Sequence, residues 1–261
     1  MIFTKIKSAI YKVFSCEEPE RLNRANSGDD LSLLDSSEVF KLRKPELFFP
    51  RAFDCTKDTK TRGYYPNKYP SGAVIHYTAS HGSLEREVSY AKKNGYSYFL
   101  IDRSGVVAQL APLNRWGYHA GKSSWEGLGS NVSRYLVGIE VVCGGLLTEK
   151  IIEGKKTYRT WWGKEVDSSN MRRDGLSGVP YEIFNNKQEE ALLYLILWLK
   201  ENNPDVFNFD YVLGHHEVSP GRKVDPGESI SFSMPAYREF LKEEYKEGVG
   251  SIWDYVKGNL V

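Results

Sequence analysis

The chain has 261 residues, of which 41% are hydrophobic and 13% aromatic, and its 35 basic and 34 acidic residues give a formal net charge of +1. This length is sufficient for one large α/β domain, or for one substantial core with an appendage. The balanced charge gives no polybasic surface, so nucleic acid is not an expected partner.

Residues 1–45 are predicted to form an N-terminal extension. Apolar residues recur at helical spacing in residues 1–15, but lysines interrupt them, which favours a short amphipathic helix over a secretory signal peptide. This helix could dock on its own domain or make a peripheral membrane contact. Residues 17–45 are polar and rich in turn-forming residues, as is typical of a linker. No stretch approaches the ~20 apolar residues that span a bilayer, and without a clear signal peptide the localisation stays open.

Residues 46–261 are predicted to form one α/β domain. The predicted strands include 96–101, 106–110 and 135–142, with the first two joined as a hairpin by residues 102–105, and the predicted helices are 85–93, 185–202 and 235–246. Apolar residues at helical spacing make 185–202 the strongest helix, with one face toward the core. Residues 144–180 form a long insert, which we expect to be a hairpin bordering a substrate groove. Residues 252–256 are expected to belong to a C-terminal helical tail.

The segment from Gly214 to Gly227 concentrates imidazole, carboxylate and ammonium groups between Pro and Gly residues, which force turns. A loop that folds back can aim His215 and Asp225 at one point, and an imidazole with a carboxylate is two-thirds of a catalytic zinc site. The best third ligand is His76, which follows a short apolar run typical of a buried strand. Three ligands leave one zinc position open for water, which distinguishes catalytic from structural zinc.

Three motifs in this order carry a family resemblance: Val-Ile-His-Tyr-Thr-Ala at 74–79, Gly-Ile-Glu at 138–140, and Gly-His-x-Glu-x-x-Pro-Gly-Arg-Lys-x-Asp-Pro-Gly at 214–227. Over roughly residues 70–242 the chain resembles the zinc-dependent N-acetylmuramoyl-L-alanine amidases (amidase type 2) related to peptidoglycan-recognition proteins. The resemblance implies an α/β fold with a mixed central sheet flanked by helices. It also implies hydrolysis of the amide between N-acetylmuramic acid and L-Ala in peptidoglycan, with one zinc ion per chain.

The resemblance further implies a role for individual residues. The matched zinc ligands are His76, His215 and Asp225, the matched general base and neighbouring cation are Glu140 and Lys223, and the matched groove segment contains His119, Ala120 and Trp125. Zinc lowers the pKa of bound water to about 7. A carboxylate can then take the water proton and pass it to the leaving amine, while a lysine stabilises the oxyanion.

Other residues near the motifs have more than one interpretation. Some relatives carry a contacting Tyr on the strand at 96–101, where simple alignment places Ser97 in this chain. His216 is expected to point away from the metal, because adjacent residues of an extended segment face opposite sides. His81 either lies near the mouth of the site or, as we expect, belongs to a solvated loop. Glu217 and Arg222 either orient the ligands or are ordinary surface charges.

The three cysteines, Cys16, Cys55 and Cys143, are dispersed and odd in number, so free thiols are expected, with one disulfide pairing as the alternative. Three functions fit the motifs. The leading prediction is a zinc amidase that acts on peptidoglycan or muropeptides, in wall remodelling or as a bacteriolytic endolysin. The alternatives are a non-catalytic peptidoglycan-binding protein on the same fold, which would tend to lose a ligand, and a zinc peptidase that cuts between stem amino acids.

Overall fold

The computed structural model describes Phe49, residues 52–96 and residues 98–246. The predicted amphipathic helix at 1–15, the linker at 17–45 and the tail at 252–256 lie outside the described residues. Among the helices that are described, none is long and apolar enough to cross a lipid bilayer.

The described residues form fifteen β-strands and four α-helices. The strands are β1 (Ala52–Asp54), β2 (Gly63–Tyr64), β3 (Gly72–Tyr77), β4 (Tyr98–Ile101), β5 (Val107–Gln109), β6 (Arg115–Trp116), β7 (Ser124–Trp125), β8 (Gly129–Ser130), β9 (Leu136–Val141), β10 (Thr148–Ile152), β11 (Lys155–Arg159), β12 (Glu165–Val166), β13 (Met171–Arg173), β14 (Pro180–Glu182) and β15 (Val212–Gly214). The α-helices are α1 (Leu84–Asn94), α2 (Asn186–Asn202), α3 (His215–Val218) and α4 (Met234–Lys246).

The central sheet has the strand order β1-β5-β4-β9-β3-β15. Strands β4, β9, β3 and β15 run parallel to one another, whereas β5 is antiparallel to β4. The predicted mixed sheet is therefore confirmed. The hairpin between β4 and β5 is held by the Asp102 carboxylate, whose Oδ1 accepts from the backbone N–H groups of Ser104 at 2.8 Å and Val106 at 2.9 Å.

Both faces of the sheet are covered, which explains the nearly continuous apolar sequence of its inner strands. Ile75 and Ile139 belong to a core cluster that includes the buried side of α2 and residues of α4. On the opposite face, Leu100 packs with Ala91 of α1, and Val74 belongs to a further apolar cluster. Helices thus flank the sheet on both sides, as the sequence predicts.

The long helix α2 begins and packs as its sequence predicts. The Asn185 side chain accepts from the backbone N–H of Gln188 at 3.1 Å, and the Gln188 side chain accepts from the Asn185 N–H at 3.2 Å. This reciprocal capping satisfies two backbone donors that have no partner within the helix. The predicted apolar stripe is buried in the core and consists of Ala191, Leu192, Leu195, Ile196 and Leu199.

The predicted insert at 144–180 contains the expected hairpin, formed by β10 and β11, and β12 extends it to a three-stranded antiparallel sheet. Strand β10 is largely exposed, and β11 is partly exposed. The insert joins the rest of the domain through a bridge between Leu146 and Tyr181, and through β13 paired with β14.

Candidate active site

The predicted site residues lie where parallel strands end. His76 is the penultimate residue of β3 and is paired in register with Glu140 of β9. His215 directly follows β15, in which Gly214 is paired with Ile75. Sites in open α/β sheets form outside the carboxyl ends of the strands, because backbone and side chains there are not covered by the next crossover.

Three donor atoms from remote parts of the chain converge at this edge. His76 Nδ1 lies 2.9 Å from His215 Nδ1 and 3.1 Å from Asp225 Oδ2, and His215 Nδ1 lies 2.9 Å from Asp225 Oδ2. All three side chains are buried. They form a group that can hold a metal ion.

Hydrogen bonds to backbone carbonyls identify which ring nitrogens carry protons. His119 Nε2 lies 2.9 Å from Leu136 O, and a carbonyl oxygen only accepts, so this nitrogen donates and His119 Nδ1 carries a lone pair. His76 Nε2 lies 3.1 Å from His119 Nδ1 and must donate to it. The Nδ1 atom of His76 therefore also carries a lone pair.

The same reasoning applies to the second histidine. His215 Nε2 lies 3.0 Å from the carbonyl oxygen of Ala120 and donates to it, which leaves a lone pair on His215 Nδ1. Two imidazole lone pairs and the Asp225 Oδ2 oxygen then face one another within 3.1 Å. Such an arrangement is repulsive without a cation between the three atoms, so the donor set fits a metal ion.

The electrostatics of the donor residues agree with this protonation. Burial lowers the pKa of His76 to about 4, although Asp225 opposes the effect. At neutral pH the site therefore presents a neutral His76, which is the form of imidazole that binds a metal.

A glycine permits the close approach of His119 to the sheet. Gly138 of β9 lies beneath the imidazole, and a Cβ at this position would be 2.7 Å from His119 Cγ. Real Cβ atoms do not come so close to ring carbons. Gly138, which belongs to the Gly-Ile-Glu motif, thus allows the link from Leu136 O through His119 to His76.

Glu140 faces the same cavity with an unusual environment. Its Oε2 atom is buried and has no hydrogen-bond partner among the described residues. Burial and the nearby charge of Asp225 raise the pKa of Glu140 to about 8, while Lys223 opposes them. Lys223 lines this cavity as well. The Glu140 carboxyl group and the Lys223 side chain thus line the same cavity as the three donor residues.

The loop after β15 is shaped by a short helix rather than by an extended segment. His215 and His216 both lie in α3, so the expectation of an extended chain at these residues is wrong. His216 does point away from the donor atoms: its backbone N–H donates to Asp225 O at 2.9 Å, and its Nδ1 lies 3.1 Å from the same oxygen. His216 therefore holds the backbone of a donor residue.

Glu217 and Arg222 stabilise the same loop. Glu217 Oε2 accepts from the Gly214 N–H at 2.8 Å and pairs with Arg238 at 3.0 Å. Arg222 Nη2 donates to the Ala120 carbonyl at 2.7 Å and to the Lys122 carbonyl at 2.9 Å. Of the two interpretations, orientation of the site therefore describes both residues better than ordinary surface charge.

The cavity beside the donor atoms has a volume of about 450 Å³, and His119 and Ala120 are among its lining residues. Trp125 is not. It packs against the apolar cluster that contains Val74 and Ala120, so the expected position of Trp125 in the groove is corrected. Trp125 lies in the short strand β7, which pairs with β8.

The cavity is also lined by five tyrosines that the sequence motifs did not indicate as a group: Tyr77, Tyr90, Tyr96, Tyr98 and Tyr118. Tyr96 and Tyr98 stack at 6.3 Å between ring centroids, and the Tyr118 ring lies under the Arg62 guanidinium at 4.6 Å. Two features of the sequence could have indicated some of these tyrosines. They are the Tyr-x-Tyr spacing of Tyr96 and Tyr98 and the position of Tyr118 directly before His119.

The prediction that His81 is a solvated loop residue is wrong. Its Nε2 lies 2.6 Å from Oε2 of the buried Glu182, and Trp162 packs edge-on against the ring at 5.2 Å. Cys55 and Cys143 are both free, as expected, and Cys16 lies outside the described residues.

A protein-family model described as N-acetylmuramoyl-L-alanine amidase matches residues 66–228, which is more than half of the chain. No curated protein sequence matches the chain. Among solved structures, a selenomethionine AmpD derivative is 19% identical, with a TM-score of 0.46, over 74% of this chain and 96% of that chain.

Two further solved structures have similar scores. AmiD from E. coli, in complex with anhydro-N-acetylmuramic acid-L-Ala-D-gamma-Glu-L-Lys, is 22% identical with a TM-score of 0.45, and the match covers 67% of this chain and 58% of AmiD. The amidase LysC from Clostridium intestinale is 17% identical with a TM-score of 0.45, over 76% of this chain and 99% of that chain.

Proposed function

Because the chain belongs to the N-acetylmuramoyl-L-alanine amidase family, we propose that its cavity hydrolyses the amide between N-acetylmuramic acid and L-Ala in peptidoglycan or muropeptides, with one zinc ion bound by His76, His215 and Asp225. The convergence of the three donor atoms within 3.1 Å carries the proposal. Two imidazoles with a carboxylate are a known ligand set of catalytic zinc.

Zinc in this position would supply a Lewis acid that lowers the pKa of water to about 7 and polarises the scissile carbonyl. In the proposed reaction, the oxygen of water bonds to the carbonyl carbon, the C–N bond breaks, and a carboxylate and the free amine of L-Ala are formed. Glu140 accepts the proton that water loses and delivers it to the leaving nitrogen. Burial raises the pKa of the Glu140 carboxyl group, so the group holds a transferred proton more readily than an exposed glutamate does.

Lys223 is proposed to stabilise the negative charge that develops on the carbonyl oxygen. It lines the cavity together with Glu140 and the three donor residues. A fixed cation or donor at such a position typically lowers the barrier by about 3 kcal/mol.

His119 is proposed to position His76 rather than to contact substrate with a free nitrogen. Both of its ring nitrogens are engaged, one with Leu136 O and the other with His76 Nε2. A hydrogen bond of this kind keeps a metal-binding imidazole in one tautomer and one orientation. Ala120, whose carbonyl accepts from His215 Nε2, is proposed to do the same for the second histidine.

The proposal can be tested on the full chain by removing metal with a chelator and adding zinc back in steps. Hydrolysis of N-acetylmuramoyl-L-Ala peptides should return with about one equivalent of zinc per chain. Mass spectrometry of the products should show peptides that begin with a free L-Ala amine. Cleavage between stem amino acids would instead indicate a peptidase, and zinc-dependent binding without release of any product would indicate a recognition protein.

A further inference from the structure

Two adjacent tryptophans of the insert form an exposed aromatic surface next to the cavity. Trp161 is 75% exposed and Trp162 is 37% exposed, and their rings pack edge-to-face at 5.6 Å. The indole N–H of Trp161 donates to the carbonyl oxygen of Ala79 at 2.8 Å. Since Ala79 itself lines the cavity, the tryptophan pair continues the cavity wall outward.

The Ala79 anchor is part of a well-bonded turn. The backbone N–H of Thr78 donates to Val141 O at 3.0 Å, and that of Ser80 donates to Cys143 O at 3.1 Å. Between these bonds, Ala79 has a φ of 52°, a left-handed conformation that is unfavourable for a residue with a Cβ. The turn thereby leaves the Ala79 carbonyl available to the Trp161 indole.

The second tryptophan is anchored through a buried carboxylate. Trp162 packs against His81, and His81 Nε2 lies 2.6 Å from Glu182 Oε2. Glu182 is only 3% exposed, and the same oxygen accepts from the Gly144 N–H at 2.6 Å. Each tryptophan is therefore tied to a different side chain or backbone group of the domain, although both belong to the exposed insert.

From this geometry we propose that Trp161 and Trp162 form a subsite for the glycan strand of peptidoglycan, in which the Trp161 indole stacks on a pyranose ring near the scissile muramoyl unit. The inference rests on the proposed amidase function. A fixed aromatic face binds with little loss of side-chain entropy, and its apolar surface matches the C–H face of a sugar ring.

The chemistry of the surface favours a sugar over the stem peptide. Stem peptides carry carboxylates, and recognition of a carboxylate commonly uses lysine or arginine. Within the described part of the chain, the indoles make ring contacts with each other and with His81, and the Trp161 indole donates a hydrogen bond to the Ala79 carbonyl. None of these groups is a lysine or an arginine.

The test compares two substrates that share the scissile bond. One is a single N-acetylmuramoyl-L-Ala peptide, and the other is a glycan strand of several disaccharides with the same stem peptides. Trp161→Ala should lower kcat/KM on the glycan strand roughly 5- to 30-fold, the range for loss of one important aromatic contact, and leave kcat/KM on the single unit unchanged. Leu176→Ala, at a fully exposed position of the same insert, is the matched control and should change neither value.

A direct binding measurement separates this inference from the amidase proposal. Peptide-free glycan strands should quench the tryptophan fluorescence of the wild-type protein and compete with hydrolysis of the strand substrate, and both effects should weaken in Trp161→Ala. An equal loss on both substrates, or competition by a sugar-free stem peptide alone, would overturn the glycan subsite. A wild-type protein that hydrolyses neither substrate would instead overturn the amidase proposal.

Discussion

The carboxyl edge of the central sheet and the insert at 144–180 are positioned by different forces. At the sheet edge, His76 and Glu140 are neighbours because β3 and β9 pair in register over six residues that are mostly buried. In the insert, Trp161 and Trp162 lie in the turn between β11 and β12, and a few specific contacts, such as the hydrogen bond to Ala79, hold them next to the cavity. Backbone register thus sets the positions of His76 and Glu140, whereas individual side-chain contacts set the positions of Trp161 and Trp162.

This difference predicts that substitutions at the sheet edge change the reaction without changing the fold. The largest effect is expected for Glu140→Gln. The amide cannot accept the water proton, so turnover of N-acetylmuramoyl-L-Ala peptides should fall by about 10²- to 10⁴-fold. Zinc affinity, measured by competition with a chelator, should stay within a few-fold of wild type, because Glu140 is not one of the three converging residues.

A matched control is Glu189→Gln, which changes another carboxyl group whose pKa is raised by burial, on helix α2 and outside the cavity lining. Its turnover should equal that of the wild-type protein. Near-wild-type turnover in Glu140→Gln would remove Glu140 from the proton transfer, whatever its position in β9.

The junction between the two regions can be broken at Gly145. This residue has a φ of 66°, and a Cβ at Gly145 would overlap the ring of Tyr77 at the end of β3. Gly145→Ala should therefore combine the conformational penalty with overpacking, for a loss of about 2–4 kcal/mol in the free energy of unfolding. Chemical denaturation monitored by fluorescence measures this loss.

Gly154 in the turn between β10 and β11 provides the comparison. Its φ is 79°, and a Cβ there would meet nothing within 4 Å. Gly154→Ala should show the conformational cost alone, about 1 kcal/mol. If the two substitutions were equally destabilising, the close contact between the insert and Tyr77 would have no energetic importance.

The predictable part of the molecule was local in sequence. Helix α2 could be predicted because its apolar spacing and its cap lie within one segment. The three donor residues could be named because each belongs to a short motif with unusual chemistry. The choice of Nδ1 as the converging atom could not be predicted, since it depends on the contact of His119 with Leu136 across the sheet. The pair of His81 and Glu182 likewise joins distant segments, so no local pattern indicated it.

The link from His119 to His76 leads to a smaller predicted effect at the sheet edge. His119→Ala removes the acceptor for His76 Nε2, which frees the imidazole to rotate and to change tautomer. Loss of such a supporting hydrogen bond typically lowers metal affinity about 10- to 100-fold. His119→Gln, which keeps an acceptor and a donor on one side chain, should recover part of the affinity.

Chelator competition on the full chain measures both variants, and thermal unfolding of the metal-free proteins shows whether stability has changed separately. A general packing role would lower the stability of the metal-free protein and leave the zinc affinity of the folded protein intact. Equal zinc affinity in wild type and His119→Ala would therefore contradict the positioning role.

The smallest expected effect concerns Glu189, a carboxyl group with a raised pKa and no chemistry to perform. Burial raises its pKa from 4.5 to about 7, and its Oε1 accepts from the Ser231 N–H at 2.8 Å. The folded protein thus holds this proton more tightly than the unfolded chain, so the contribution to stability is full below about pH 4.5 and is lost as the pH rises to about 7. Glu189→Gln keeps an acceptor for Ser231 but does not ionise. The stability of this variant relative to wild type should therefore increase by about 1–2 kcal/mol between pH 5 and pH 8. This energy is smaller than the one that corresponds to the full pKa difference, because the side chain is partly exposed. Thermal unfolding at the two pH values measures this change. A difference that does not depend on pH would show that Glu189 is ionised in the folded protein over this whole range.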